Sequence, residues 1–286
     1  MNAPRLDAEV AAELAAVRAR VRETYNAAAT HFDAPQLGFW DRFGHRTVTG
    51  AGIAAGDRVL DVCCGTGASA LRAAEAVGPA GEVLGVDFAE DLLDLARAKA
   101  AGRGLPQARF AVGDMTALGF AAGSFDAVVC VFGVFFVPDM AAAVAGLWRL
   151  VRPGGTLAVT TWGTSCLEPG TSIFWDVVAR RRPDLVREPP WQRITTPDAL
   201  RALLAEGGVP GSAIEMSVGP DRQPLSVPDD FWTVVLGTGY RGVVDAMSAE
   251  DAEWLRTECL AALGRRAVTE LTSEAIYATA RKVSDE

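Results

Sequence analysis

The segment RVLDVCCGTG, residues 58–67, places a short apolar run directly before a glycine-rich turn. Gly65 and Gly67 let the backbone turn sharply and approach a ligand, and the pattern of residues 67–77 predicts a helix. This order is typical of a strand that presents a nucleotide-like cofactor to a helix N-terminus. The run from Gly65 to Ala70 also fits a relaxed dinucleotide fingerprint, so the segment alone does not identify the cofactor.

Short, valine-rich apolar runs alternate with helical patterns through the rest of the first half. Runs that are apolar throughout indicate strands covered on both faces of a sheet, and strand–helix alternation predicts parallel strands with right-handed crossovers. The sequence therefore predicts an α/β fold. We predict strands at 58–63, 83–87, 108–112, 125–131, 156–162, 213–219 and 270–282, and helices at 67–77, 89–101, 138–151 and 197–206.

The flanking segments differ from this alternating core. Apolar residues at spacings of three and four, from Leu6 to Tyr25, predict an amphipathic helix over 5–28, whereas residues 29–50 read as irregular and rich in aromatics. An insertion with several aromatics follows at 164–195, and residues 228–264 predict two more helices. We divide the chain into a helical cap segment (1–50), a cofactor-binding core (51–163) and a remainder with the last two strands and an inserted helical substrate cap (164–286).

Composition excludes several classes of protein. The 286 residues are half hydrophobic and carry a net charge of −9, which gives no electrostatic footprint for nucleic acid or an anionic membrane. No apolar stretch reaches the length that spans a bilayer, and the N-terminus does not read as a signal peptide. Five cysteines, an odd number, predict free thiols in a reducing compartment. We therefore expect a cytoplasmic monomer or homodimer with no nucleic-acid partner, membrane insertion or metal site.

Three further motifs stand where predicted strands end, and open α/β sheets bind ligands at that edge. Asp87 ends the second strand and can accept hydrogen bonds from both hydroxyls of a ribose. Asp114 and Met115 follow the third strand, where a carboxylate and a backbone N–H can meet an adenine. The fourth strand runs from Phe125 to Cys130 and leads into a second aromatic stretch.

Together these motifs resemble the class I S-adenosylmethionine-dependent methyltransferases, over roughly residues 55–162. Asp61, four residues before Gly65, is the acidic residue typical of that family's first motif, and a nicotinamide fingerprint does not call for it. The glycine turn and Pro153-Gly154-Gly155 look most like the small-molecule branch with the ubiquinone/menaquinone C-methyltransferases (methyltransferase type 11-like). The resemblance implies a Rossmann-like, seven-stranded, mostly parallel sheet of order 3-2-1-4-5-7-6, with helices on both faces and helical caps at both ends.

The resemblance also assigns residues to S-adenosyl-L-methionine, whose product would be S-adenosyl-L-homocysteine. Asp61 would organise the glycine loop and meet the amino group through water, and Asp87 would hold the ribose. The Cys130 carbonyl would meet the α-amino group, and Tyr25 could approach the carboxylate from the cap. The full set of cofactor-binding candidates is Tyr25, Asp61, Cys63, Gly65, Thr66, Gly67, Asp87, Phe88, Asp114, Met115 and Cys130.

The implied reaction is an in-line displacement of the methyl group by an acceptor atom, with O- or C-methylation favoured. The candidate bases are the two histidines, His31 and His45, because both lie in the segment expected to cover the site. An aromatic-lined pocket favours a small planar or lipophilic acceptor. Phe135, Trp162, Trp175 and Trp232 are the predicted pocket residues, with Phe136 and Trp191 as further aromatics whose ordinary role would be core packing.

Other functions stay open or are disfavoured. A nicotinamide-dependent reductase would need a Tyr-x-x-x-Lys proton donor, which Tyr25, Tyr240 and Tyr277 do not offer. A fold relative that binds the cofactor without transferring methyl, a cyclase or a binding module, fits the same motifs, because such motifs report binding. The adjacent Cys63 and Cys64 are interpreted as small packing residues at a strand-to-turn corner, since no neighbouring cation supports a reactive thiolate.

Overall fold

The computed structural model describes residues 3–283, with side chains from residue 15 onwards, and contains one seven-stranded sheet. Its order, β3-β2-β1-β4-β5-β7-β6, is the predicted one. Neighbours pair in parallel except along β7, which is antiparallel to both β5 and β6. The strands are β1 (Arg58–Val62), β2 (Glu82–Asp87), β3 (Ala108–Val112), β4 (Phe125–Val131), β5 (Val151–Trp162), β6 (Ile214–Pro224) and β7 (Glu270–Arg281).

Helices cover the sheet and its edge. They are α1 (Ala3–Phe32), α2 (Phe39–Ala51), α3 (Ala68–Val77), α4 (Glu90–Gly102), α5 (Met140–Leu150), α6 (Gly170–Arg181), α7 (Pro197–Glu206), α8 (Asp230–Leu236), α9 (Arg241–Asp245) and α10 (Ala249–Arg265). Local sequence explains several helix starts. The side chains of Asp139 and Thr196 cap α5 and α7 by accepting hydrogen bonds from the backbone N–H three residues later.

Two predictions for the flanks are wrong. Residues 29–50 are not irregular, because α1 continues to Phe32 and α2 occupies most of the rest. Buried side chains recur every four residues along α2 (Phe39, Phe43, Thr47 and Ala51), so packing against the sheet overrides the glycines in this segment. Residues 228–264 hold three helices rather than two, since a turn after Leu236 separates α8 from the short α9.

The core lies on both faces of the sheet. On one face Val59, Val129 and Ala158 pack against α2, α3 and α4, and on the other face Leu60, Val128 and Leu157 pack against α5 and α7. All six side chains are buried. Burial on both faces is the reason that the first five strands read as apolar runs without polar alternation.

The long helix α1 crosses the carboxyl ends of β1, β2 and β3. Its Arg18 pairs with Asp114 after β3 (3.2 Å), and the ring of Phe32 lies 3.6 Å from the point where Gly65 would carry a Cβ. The predicted apolar stripe is only partly buried, because Val17 is 49% exposed. Leu6, Val10 and Leu14 lie outside the described side chains. Among residues 3–283, no helix has the length and hydropathy needed to cross a bilayer.

Candidate functional site

The glycine loop after β1 is held by its neighbour β2. The backbone N–H groups of Cys63 and Cys64 both donate to the carbonyl of Val86, at 2.8 and 3.2 Å. Cys63, Gly65 and Gly67 have φ values of 60°, 52° and 84°, so three positions of this turn adopt the left-handed conformation. That conformation is easy for glycine and costs a side-chain-bearing residue energy. Cys63 carries a side chain, yet its backbone adopts the conformation that favours glycine.

Asp87 joins this loop to the end of β2. It is buried, and its two carboxylate oxygens accept hydrogen bonds from the backbone N–H groups of Gly65 (2.9 Å) and Ala89 (3.0 Å). Burial raises the pKa of Asp87, although these hydrogen bonds favour the ionised form. The predicted ribose-binding carboxylate is thus fixed at the site by two backbone donors, which sets its direction.

Asp61 is the buried acid beneath the loop. Its Oδ2 accepts a hydrogen bond from Ser69 Oγ (2.6 Å), while its Oδ1 has no partner among the described residues. Burial raises the pKa of Asp61 to about 7, and Ser69 only partly offsets this. An unpartnered buried carboxylate oxygen is costly, so this oxygen suits a ligand that brings a donor or a positive charge.

The residues predicted for the adenine end lie next to each other but differ in burial. Asp114 accepts two hydrogen bonds from Thr116 and pairs with Arg18. Partial burial works against its charge, yet the bonds from Thr116 and the nearby Arg18 lower the pKa of Asp114. Met115 is buried, whereas Phe88 is half-buried beside Asp87. Asp114 therefore stays ionised and available where an amine could meet it.

A network that the sequence did not predict ties α1 to the glycine loop. Thr66 Oγ1 donates to Asp33 Oδ1 (2.6 Å), and Lys99 Nζ reaches both Asp33 Oδ1 (2.8 Å) and Thr66 Oγ1 (2.9 Å). Thr66 is buried, so the network is partly shielded from solvent. Its three members come from the end of α1, the glycine loop and α4. No local motif could have linked them.

The two sulfurs of Cys63 and Cys130 face each other between β1 and β4, the point where strand order reverses. A Cβ on Gly133 would lie 2.8 Å from Cys130 Sγ and 2.9 Å from Cys63 Sγ, so only glycine fits there. A hydrogen bond with Cys130, together with burial, holds the pKa of Cys63 well above its usual range. Cys64 is buried against Gly85. These surroundings support packing roles for Cys63 and Cys64 and leave these two thiols protonated at neutral pH.

Aromatic rings fill the edge beyond β4 and β5. Phe132 and Trp162 stack with ring centroids 4.1 Å apart, and Trp40 stacks on Phe32 at 5.4 Å with nearly parallel planes. Trp191 joins Phe135 (5.4 Å) to Trp162. We call this group the aromatic cluster. Its members are Phe32, Phe39, Trp40, Phe43, Phe132, Phe135, Trp162 and Trp191.

The structure places two of the four predicted pocket residues, Phe135 and Trp162, in the aromatic cluster. Trp175 packs instead against Phe174 and Tyr240, and Trp232 is half-buried on α8. Neither has a ring contact with the cluster among the side chains described from residue 15 onwards. The sequence analysis did not name Trp40 and Phe132 as pocket residues. The spacing of four between buried residues along α2 is the signal that could have predicted the helix that carries Trp40.

The two histidines are not brought together. His31 lies on α1, and its Nδ1 is 2.8 Å from Thr30 Oγ1. The pKa of His31 is lowered mainly by burial and further by the positive charge of the nearby Arg241. His45 is exposed on α2, where it lines an open groove of about 570 Å³ beside Ser217 and Thr279. That groove lies between α2 and the strands β6 and β7.

Tyr25 lies between the glycine loop and the helical cap. Its ring contacts Phe136 (5.6 Å) and Phe32 (6.4 Å), and its hydroxyl lies 3.4 Å from the point where Gly239 would carry a Cβ. Burial and the nearby Asp87 raise the pKa of Tyr25, so the phenol stays protonated. A protonated phenol here can donate to a ligand oxygen, as the predicted contact with a carboxylate requires.

Comparison with known proteins shows which sequences and folds this chain is similar to. The sequence model of the family described as a methyltransferase domain matches residues 59–155. A demethylmenaquinone methyltransferase of Lactococcus lactis is 34% identical over 140 residues, which cover 48% of this chain and 56% of that protein. The chain thus spans about half the length of the curated relatives it matches.

Solved structures share the fold across most of the chain. The [4+2]-cyclase SpnF aligns with a TM-score of 0.54 at 22% identity, covering 86% of this chain and 81% of that one. A phosphoethanolamine N-methyltransferase 2 of Haemonchus contortus, solved with S-adenosylhomocysteine, aligns with a TM-score of 0.51 at 17% identity, covering 84% and 52%. Residues 59–155 are therefore similar to a methyltransferase domain, and the likeness to solved structures over most of the chain extends to the fold.

Proposed function

We propose that this protein transfers the methyl group of S-adenosylmethionine to a small, planar aromatic or lipophilic metabolite, by O- or C-methylation. The observation that carries the proposal is the convergence of Asp61, the Gly65 loop, Asp87 and Asp114 at the ends of β1, β2 and β3. These ends lie next to the reversal of strand order between β1 and β4, where open sheets bind ligands.

The residues present fit this cofactor. Asp61 has a buried oxygen without a partner, which suits the cationic amino group of the methionine portion. Asp87 would hold the ribose, with Phe88, Asp114 and Met115 at the adenine, and Tyr25, Cys63, Thr66 and the Cys130 carbonyl at the methionine end. When bound, S-adenosylmethionine supplies a methyl group already activated by its sulfonium. The chain's own task is to bind, orient and exclude water.

The aromatic cluster would orient the methyl acceptor and exclude water. Its rings lie beyond β4 and β5, next to the strand-order reversal, and most of them are buried. Holding an acceptor atom in line with the S–CH₃ bond supplies roughly 7–11 kcal/mol of the barrier reduction seen in well-oriented reactions. An apolar, water-poor site suits a planar acceptor. Trp175 and Trp232 would contribute only from the outer layer of the cap.

A general base is not required by this arrangement. We propose His31 and His45 as the groups to test, because histidine is the usual base at neutral pH. His31 is paired with Thr30, and His45 lines the groove between α2 and the strands β6 and β7. We expect His31→Ala and His45→Ala each to change kcat by less than tenfold, which would leave positioning alone to drive the reaction. A larger, pH-dependent loss in either variant would identify the base.

The proposed setting follows from charge and composition. With a net charge of −9, the chain favours a small-molecule acceptor over nucleic acid. We propose a cytoplasmic enzyme that is a monomer or homodimer. Gel filtration with light scattering measures the second of these directly.

Two measurements test the function in sequence. Calorimetric titration with S-adenosylhomocysteine should show binding and should raise the melting temperature, whereas NAD(P) should do neither. Transfer from methyl-labelled S-adenosylmethionine to a panel of phenols, enols, thiols and carboxylates should then label an acceptor. Absence of S-adenosylhomocysteine binding would overturn the proposal. Binding without transfer would favour the alternative of a cyclase or binding module on the same fold.

A further inference from the structure

The indole of Trp40 has an unusual polar group. Its Nε1 is inaccessible to solvent and has no hydrogen-bond partner in the described structure. An indole nitrogen can only donate, and a buried donor left unpaired destabilises the folded protein. Trp and Tyr usually find a partner for their polar tips when they are buried. An unpartnered indole N–H among aromatic rings is therefore a candidate donor to a bound ligand.

Trp40 also occupies a particular position in the fold. One face of its ring stacks on Phe32, which covers Gly65 of the cofactor loop. On its other sides it contacts Phe132 (5.6 Å) and Trp162 (5.9 Å), which close the ends of β4 and β5. Trp40 therefore contacts both Phe32, which lies over the glycine loop, and the rings beyond β4 and β5.

The cluster offers little else to a polar acceptor. All of its eight members are Phe or Trp, so none carries a charge or a carbonyl in its side chain. The nearby thiols of Cys63 and Cys130 are hydrogen-bonded to each other, and this bond together with burial raises the pKa of Cys63. A planar acceptor entering this cluster finds flat apolar surfaces and a small number of donors. Among the described buried polar atoms that lack a hydrogen-bond partner, Trp40 Nε1 is the one that belongs to the aromatic cluster.

We propose that Trp40 Nε1–H donates a hydrogen bond to an oxygen of the methyl acceptor and thereby sets its orientation and specificity. This rests on the proposed function. This hydrogen bond selects planar rings that carry a phenol, enol or carbonyl oxygen. It discriminates against flat hydrocarbons of equal size. The ring of Trp40 stacks on Phe32, which holds the donor in one direction, so the bond orients the acceptor against the cofactor loop.

The test compares two probes that differ in one group, 2-naphthol and 2-methylnaphthalene. Their dissociation constants are measured by tryptophan fluorescence, with and without S-adenosylhomocysteine, for the wild type, Trp40→Phe and Trp254→Phe. Trp40→Phe keeps a stacking ring and removes the donor. Trp254 lies under Arg180 and Arg181, away from the site, and controls for the loss of one indole.

We expect the preference for 2-naphthol over 2-methylnaphthalene to fall about 3–10-fold in Trp40→Phe, the range of one neutral hydrogen bond. Trp254→Phe should keep the wild-type ratio. An unchanged ratio in Trp40→Phe, or no binding of either probe to the wild type, would overturn the proposal. So would weaker binding of S-adenosylhomocysteine to Trp40→Phe, since the indole would then serve the cofactor. Failure of the proposed function appears separately, as no S-adenosylhomocysteine binding to the wild type.

Discussion

The edge of the sheet has two halves with opposite construction. At the ends of β1, β2 and β3, carboxylates are held by backbone N–H groups and by short polar contacts, as in the pair formed by Asp87 and Gly65. At the ends of β4 and β5, stacked rings such as Phe132 and Trp162 occupy the same level. The first half fixes direction through hydrogen bonds, which specify individual atoms. The second fixes shape through packing, which specifies a surface.

This difference fits two kinds of ligand. A cofactor that is the same in every turnover can be bound by atom-by-atom recognition, which tolerates no variation in its functional groups. An acceptor pocket made of rings discriminates shape well but polarity poorly, because a methylene more or less in an apolar pocket changes affinity only modestly. Polar substitutions should therefore damage cofactor binding, while packing substitutions should change the acceptor range.

The largest effect is expected from Asp87→Ala. The change removes the proposed ribose partner and leaves the N–H groups of Gly65 and Ala89 without their acceptor. Loss of several charge-assisted hydrogen bonds should weaken S-adenosylhomocysteine binding by about 100-fold or more, measured by calorimetry. Asp94→Ala, which removes an exposed carboxylate paired with Arg97, is the matched control. A change below tenfold in Asp87→Ala would break the contrast between the halves.

Asp61→Asn should have a smaller effect with a pH signature. The pKa of Asp61 is about 7 in the folded protein, above its unfolded value, so the folded state binds more protons between pH 4 and 7. The stability of the free protein should therefore fall as pH rises through this window, and Asp61→Asn should flatten that slope. Urea unfolding at several pH values measures it.

The same carboxyl links cofactor binding to proton release. A cationic amino group favours the ionised form, so binding of S-adenosylhomocysteine near pH 7 should release up to about half a proton from Asp61. Calorimetry in buffers of different ionisation enthalpy detects this release. Asp61→Asn should abolish it and weaken binding by about tenfold, while Asp94→Asn leaves both unchanged. Equal proton release in Asp61→Asn would show that another group titrates.

The smallest effects are expected at the adjacent cysteines, and they should differ. Cys63 has a left-handed backbone, so Cys63→Gly removes strain and should change the free energy of unfolding by less than about 1 kcal/mol. Cys64 is buried against Gly85, and Cys64→Gly should cost about 2 kcal/mol through a cavity and added chain entropy. Chemical denaturation compares the two. Methyl transfer falling more than tenfold in Cys63→Ala would contradict a packing role.

The sequence predicted more of the half of the edge at the ends of β1, β2 and β3, the cofactor half, than of the aromatic half at the ends of β4 and β5. The reason is physical. Asp61, Gly65 and Asp87 lie in short motifs whose spacing is set by strand and turn geometry, so their positions along the chain predict their neighbourhood. The aromatic cluster assembles from α2, the ends of β4 and β5, and Trp191, which are far apart in sequence. Ring contacts between such segments depend on tertiary packing, which no local pattern encodes.

The same limit explains the flanking segments. The order of the sheet followed from the family resemblance, and the strands themselves from apolar runs. Residues 39–51 carry glycines and polar residues that weaken a helical reading, and only the burial of Phe39 and Phe43 against the sheet decides the outcome. The network of Asp33, Thr66 and Lys99 could not be predicted at all, since it unites three separate elements.

The place of β7 in the sheet has a consequence for how the protein is made. β6 pairs only with β7, and β7 is synthesised after residues 225–269. During translation β6 therefore waits without a strand partner, whereas β1 to β5 can pair with one another as soon as they emerge. The cofactor half of the edge can assemble on the nascent chain before the outer strands join. An unpaired β6 exposes its strand hydrogen-bonding groups in that interval, and an edge of this kind favours aggregation.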